Sequence, residues 1–169
     1  MNGCCGGSGL SLLFYGNNRP WLEECAPYAE SETSCPTQRT KACEDFVCEG
    51  LKYLATGFYT VDRTLAAMKK SLVEHGPSYF RYDVYDDFYD YWRDGGPGAV
   101  YTQKTGAKLG GHAVLIIGWS DAKKAWLLKN SWGADGGPSS DGTFFIAYQG
   151  HANDLGLQMF NVTGLIKTS

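Results

Sequence analysis

A chain of 169 residues, 43% of them hydrophobic, is long enough for one domain, or one and a fraction, with a buried core, which excludes an intrinsically disordered protein. Its formal charge of −3 comes from 15 Lys and Arg against 18 Asp and Glu in mixed order, leaving no basic stripe for nucleic acid. No apolar run reaches the length of a membrane span, and the opening "MNGCCGGSGLSLLFYG" lacks the basic start and small-residue cleavage site of a targeting segment.

In chain order, Ser8 is placed to cap a short apolar helix in "GLSLLFYG", ended by Gly16-Asn17-Asn18 and Pro20. Residues 23–50 are polar and rich in Cys, Thr and Glu. They read as an irregular region held by cross-links rather than by a buried face, with a domain boundary near Gly50. Asp62 then caps the amphipathic helix "RTLAAMKKSLVEH", with Leu65, Met68 and Leu72 on one face and Gly76-Pro77 as the stop. The aromatic run "SYFRYDVY" alternates as a half-buried strand does, and "DDFYDYW" fits one helical turn before the turn sequence "RDGGPG". From there "HAVLIIGWS", "KAWLLKNSW", "GTFFIAY" and "LGLQMFNVTGL" are short apolar runs separated by Gly, Pro, Asp and Ser. That pattern predicts an antiparallel barrel or a strongly twisted sheet.

Six cysteines, Cys4, Cys5, Cys25, Cys35, Cys43 and Cys48, all fall in the first third of the chain. Their spacings do not give the paired C-x-x-C knuckles of a zinc site and no histidine lies near them, so neither a metal nor any other cofactor is expected. Disulfides are the better reading, which implies an oxidising compartment. The sequon Asn161-Val162-Thr163 agrees with it.

Several of these stretches resemble, in order, segments of papain-family cysteine peptidases. "GGHAVLIIGW" is similar to the segment around that family's catalytic histidine, and "WLLKNSWG" to the one carrying its catalytic asparagine and a shielding tryptophan. Upstream, "GCCGG" resembles the Gly-Cys-Asn-Gly-Gly loop, "HGPSYFRYDVYDDFYDY" the Gly-Pro-Val strand with its Phe-x-x-Tyr turn, and "GAVY" the Gly-Val-Tyr beyond it. Within the family, "CAPYAESETSC" followed by "CEDFVC" looks most like the cysteine-rich insertion of cathepsin B-like members. The histidine pair associated with carboxydipeptidase action has no counterpart after Cys35, where the chain reads Pro36-Thr37-Gln38.

The resemblance implies an α+β papain-like fold in incomplete form: a remnant of the helical left domain over residues 1–50, and a β-barrel right domain over residues 51–169. It implies endopeptidase chemistry on peptide or protein substrates, carried out on the secretory route to the outside, the lysosome or the vacuole. A cysteine peptidase needs a thiolate, a histidine that stabilises it and later protonates the leaving amine, and a group that orients the imidazole. His112 matches the histidine, Asn130 the orienting amide, and Trp132 the ring that keeps water from the bond between them. Taken without their motifs, His112 reads as an ordinary half-buried histidine and Asn130 as a turn residue; His75 and His151 match no motif and read as surface histidines. Gly6 and Gly7 match the backbone that pairs with an extended substrate. Gly111 and Ala113 flank the histidine on the substrate-facing wall. Phe160 falls near the floor of the specificity pocket, where an apolar or aromatic side chain fits. By the same resemblance, Cys25 pairs with Cys48 and Cys35 with Cys43.

The thiol is the missing part. In this family the histidine and asparagine follow the nucleophile by roughly 130 to 150 residues, whereas only 111 residues precede His112. The Cys4-Cys5 pair is followed by Gly-Gly, with no helix N-terminus to depress a thiol pKa. Three accounts remain open: a fragment of a full enzyme, one chain of a two-chain peptidase whose partner brings the thiol, and a non-catalytic protein that uses the fold for binding. In the first two, residues 1–169 alone are expected to be inactive.

Overall fold

The computed structural model describes residues 52–168. The expected helix after Ser8, the boundary near Gly50, the glycines Gly6 and Gly7, and all six cysteines lie outside the described residues. Those described fall into two compact units, Thr60–Asn161 on the one hand and the segments reaching Tyr59 and starting from Val162 on the other. In the latter unit, β1 (Lys52–Ala55) pairs antiparallel with β9 (Leu165–Thr168), Lys52 opposite Thr168. The Thr56 N–H continues the ladder to the Gly164 carbonyl at 3.0 Å.

The main unit is a sheet with two helices. Helix α1 (Leu65–His75) is capped by Thr64 rather than by Asp62, because the extended Thr64 backbone lets its hydroxyl accept the Ala67 N–H at 3.2 Å. Met68 and Leu72 are buried as the periodicity requires, but Leu65 is 45% exposed in the first turn. Gly76, at φ 79°, closes the helix by donating its N–H to the Leu72 carbonyl at 3.0 Å. The next segment, β3 (Ser78–Tyr85), is more buried than simple alternation predicts, with all of Tyr82 to Tyr85 shielded. Its place explains this: it is flanked by β5 (Lys108–Ser120) on one side and β8 (Gln158–Val162) on the other.

Helix α2 (Asp87–Asp94) has eight residues, two turns instead of the single turn expected. Asp87 secures its start, accepting the Lys104 N–H at 2.7 Å, the Thr105 N–H at 3.0 Å and the Tyr101 hydroxyl at 2.7 Å. Beyond it come β4 (Val100–Tyr101), β6 (Ala125–Lys129) and β7 (Thr143–Ala147). Together with β2 (Phe58–Val61) they complete a seven-stranded sheet in the order β2, β8, β3, β5, β6, β7, β4.

The expected antiparallel barrel is therefore corrected to an open, mixed sheet. Among the described residues β2 and β4 are its two edges, and β4 runs parallel to β7. Closure requires matched tilt and stagger around the ring, and a two-residue edge strand offers little ladder with which to close it. One face carries the core: Phe80, Tyr82, Ile116, Trp126, Leu128, Phe144, Ile146 and Met159 are all at 0–1% exposure. Burial of this kind stabilises by about 1.5–3 kcal/mol per large apolar side chain.

Candidate active site

The sheet register decides what meets what. His112 in β5 stands opposite Tyr82 in β3, two residue pairs along from Val114 and Phe80 and so on the same core-side face. Asn130 follows the last residue of β6 and is 5% exposed. The structure brings the two side chains together, with His112 Nε2 2.9 Å from Asn130 Oδ1. A second bond fixes the roles of the atoms. The Ser131 backbone N–H donates to the same Asn130 atom at 2.8 Å, so that atom is an acceptor and the His112 Nε2–H donates to it. The neutral imidazole then leaves Nδ1 as its free basic nitrogen. Burial holds the His112 pKa below its ordinary value, and the Asn130 hydrogen bond opposes that without cancelling it. Asn130 Nδ2 is buried with no hydrogen-bond partner among the described residues.

Trp132 lies against the imidazole. Its ring centre lies 4.8 Å from that of His112, tilted by 33°. What sequence reasoning missed is the depth of the aromatic support. Tyr89 stacks flat on Trp132 at 5.5 Å, while Trp92 and Phe88 meet it edge-on at 5.3 and 5.8 Å. All three come from α2, where the spacing 88, 89, 92 puts them on one side of the helix; that spacing was the available signal. Tyr82 meets the imidazole edge-on, with ring centres 5.7 Å apart and planes at 78°. The Tyr82 hydroxyl is buried without a hydrogen-bond partner among the described residues, and desolvation raises its pKa well above the usual phenol value.

Gly111, Ala113 and Phe160 are not gathered around the imidazole. Alternation along β5 sends Gly111 and Ala113 to the opposite face from His112, and Phe160 shares that opposite face through its pairing with Tyr79. Gly111 and Ala113 are exposed there, and the Phe160 ring meets Tyr79 edge-on at 5.4 Å.

Two other readings change. His151 is not a surface histidine: it is half-buried, its Nδ1 accepting the Gln103 N–H at 3.0 Å and its Nε2–H donating to the Ala147 carbonyl at 2.9 Å. His75 is exposed at the end of α1, as expected. The sequon asparagine, Asn161, is 4% exposed, with its Nδ2 donating to the buried Ser71 hydroxyl at 2.9 Å. It carries no weight as a mark of compartment. Among the described residues no group of three or more His, Cys, Asp or Glu side chains is placed to hold a metal, and no helix is long and apolar enough to cross a membrane.

The chain matches the family model described as papain family cysteine protease over residues 1–165. It is 31% identical over 179 residues to cathepsin B-like protease 1 of Arabidopsis thaliana, an alignment covering 96% of this chain and 45% of that protein. It is 40% identical over 151 residues to cathepsin B-like cysteine proteinase 6 of Caenorhabditis elegans, covering 88% of this chain and 36% of the relative. The solved structure of proCathepsin B S9 from Trypanosoma congolense superimposes with a TM-score of 0.75 at 26% identity, covering 96% of this chain and 55% of the other. The chain thus spans about half the length of these relatives or less. With a shared fold and a family match along nearly its whole length, this chain belongs to the papain family of cysteine proteases, on its cathepsin B-like side.

Proposed function

We propose that the chain supplies the histidine–asparagine half of a cysteine endopeptidase site, and that the nucleophilic thiolate comes from sequence outside residues 1–169. The observation that carries this reading is the doubly anchored Asn130 oxygen. By accepting both the Ser131 N–H and the His112 Nε2–H it holds the imidazole with Nδ1 as the working nitrogen. A thiol beside Nδ1 would give up its proton to form a thiolate–imidazolium pair. The thiolate attacks the peptide carbonyl carbon, and His112 then passes the Nδ1 proton to the leaving amine as the C–N bond breaks. In the second half, His112 takes a proton from water, hydroxide adds to the thioester, and the acid product leaves as the thiol is restored. A neutral amide suits the orienting position because it does not compete with the thiolate for the imidazolium charge. Trp132 and the rings from α2 keep water off the bond, which strengthens it.

The substrates follow from the family: polypeptides, taken in extended form along the wall that carries Gly111, Ala113 and Phe160, with Gly6 and Gly7 also among the substrate-binding residues. Residues 51–169 are the right domain that carries His112 and Asn130, and residues 1–50 are a remnant of the helical, cysteine-rich left domain. The cysteine pattern, with Cys25 joined to Cys48 and Cys35 to Cys43, supports a secreted, lysosomal or vacuolar protein. Purified residues 1–169, assayed on a fluorogenic peptide with and without a thiol-alkylating reagent, are expected to show no alkylation-sensitive turnover. Turnover that vanishes in Cys5→Ser would instead place the nucleophile inside the chain.

A further inference from the structure

We propose that Arg81 is a specificity-determining residue, and that the wall beside His112 selects an extended peptide carrying an acidic side chain next to the bond to be cleaved. This rests on the reading above, in which Ala113 and Phe160 face the substrate. Arg81 lies in the middle of that same face: in β3 it stands directly between Ala113 of β5 and Gln158 of β8. Its neighbour two residues back on the same face is Tyr79, which is paired to Phe160. Ala113 follows His112 directly in β5, so this face begins one residue from the imidazole, although the two side chains take opposite faces of the sheet.

Among the described residues the charge there is unbalanced. Asp83 is the shared anion of a three-membered cluster, with Oδ1 2.5 Å from Arg81 Nη2 and Oδ2 2.6 Å from Lys108 Nζ. Two cations on one carboxylate leave a surplus positive charge. The Asp83 side chain is 9% exposed, whereas those of Arg81 and Lys108 are 36% and 51% exposed, so the anion is covered and the cations face outward. Of the five guanidinium N–H groups, only one on Nη2 is used in the described contacts. Room for the group is built into the backbone on both sides. A Cβ at Gly111 would lie 3.1 Å from Arg81 Nη2, and one at Gly156, whose φ is +59°, would lie 2.9 Å from Nη1. The Arg81 charge also reaches the aromatic pair, where it partly offsets the upward push of burial on the Tyr79 hydroxyl. The floor is therefore apolar through Tyr79 and Phe160 and the wall cationic through Arg81. Glutamate fits both, laying its methylenes on the rings and its carboxylate on the guanidinium.

The test is binding of two blocked, fluorescently labelled tripeptides, identical except for Glu or Gln at the middle position, to the full chain and to its Arg81→Gln variant. Perturbation of the Ala113 amide resonance reports that the peptide is on this wall. The Glu peptide is expected to bind the unmodified chain about three- to tenfold more tightly than the Gln peptide, a preference that shrinks with added salt and disappears in Arg81→Gln. Both peptides binding at Ala113 without discrimination, or a preference that survives Arg81→Gln, overturns the role of Arg81 alone. Failure of either peptide to perturb Ala113 overturns both this inference and the substrate wall on which it rests.

Discussion

At the scale of the residue, the decisive atom is the Asn130 Oδ1, because its second bond to the Ser131 N–H removes any choice about which end of the amide meets the imidazole. The account predicts that nitrogen NMR of His112 shows the neutral Nε2–H tautomer, titrating below the ordinary histidine value because burial disfavours the imidazolium. Replacing Asn130 by Asp puts a carboxylate where the neutral amide was, and should raise the His112 midpoint by about one to three pH units. An unchanged midpoint would mean that the two groups do not face each other. Asn161 makes a second prediction. With its amide buried against Ser71, it is expected to be unmodified in folded protein expressed through a secretory pathway. Intact-mass measurement showing a glycan there would contradict the packing of β8 on α1.

At the scale of the element, α2 is the support on which the site depends. Phe88 is fully buried and packs its ring against Tyr82, Tyr101, Phe144 and Trp132, so it links the two rings, Tyr82 and Trp132, that meet His112. Phe88→Ala should cost about 3–5 kcal/mol in urea unfolding, the range for truncating a buried aromatic; a loss under about 1 kcal/mol would show that the cluster is dispensable. The elements were legible unevenly. The long runs in β3, β5, β6 and β7 declared themselves by burial pattern, and His112, Asn130 and Trp132 by the motifs that surround them. The strands β1, β2, β4 and β9 did not, because two to four residues are too few to carry a period. Sheet closure was not legible either, since the same short runs serve a barrel or an open sheet. The face on which Ala113 and Phe160 lie depends on register, which joins β3 to strands distant in sequence. For that reason Arg81 reads in the sequence as one polar position in an aromatic strand, and only pairing places it beside them.

At the scale of the whole molecule, the two half-buried histidines set a pH dependence. Burial lowers the pKa of both His112 and His151 in the folded chain, and the Asn130 and Ala147 hydrogen bonds oppose it without cancelling it. A chain that unfolds regains the ordinary value of about 6.5, so just below it the unfolded state binds more protons than the folded one. Stability is therefore fully present above about pH 6.5 and declines as pH falls from there through the lower folded values. Urea midpoints taken across that range should show the decline, and His151→Gln should reduce it; a midpoint that rises on acidification would have the wrong sign. The central claim is that this chain holds a competent acid–base pair awaiting a thiolate from outside residues 1–169. It is tested most directly by mixing the chain with an N-terminal segment of a related cathepsin B-like peptidase that contains the nucleophilic cysteine, and measuring hydrolysis of a fluorogenic peptide. The account predicts alkylation-sensitive turnover only in the mixture, reduced by about 10²–10⁴-fold in His112→Ala. Turnover in the mixture that is indifferent to His112→Ala, or no association between the two pieces, would contradict it.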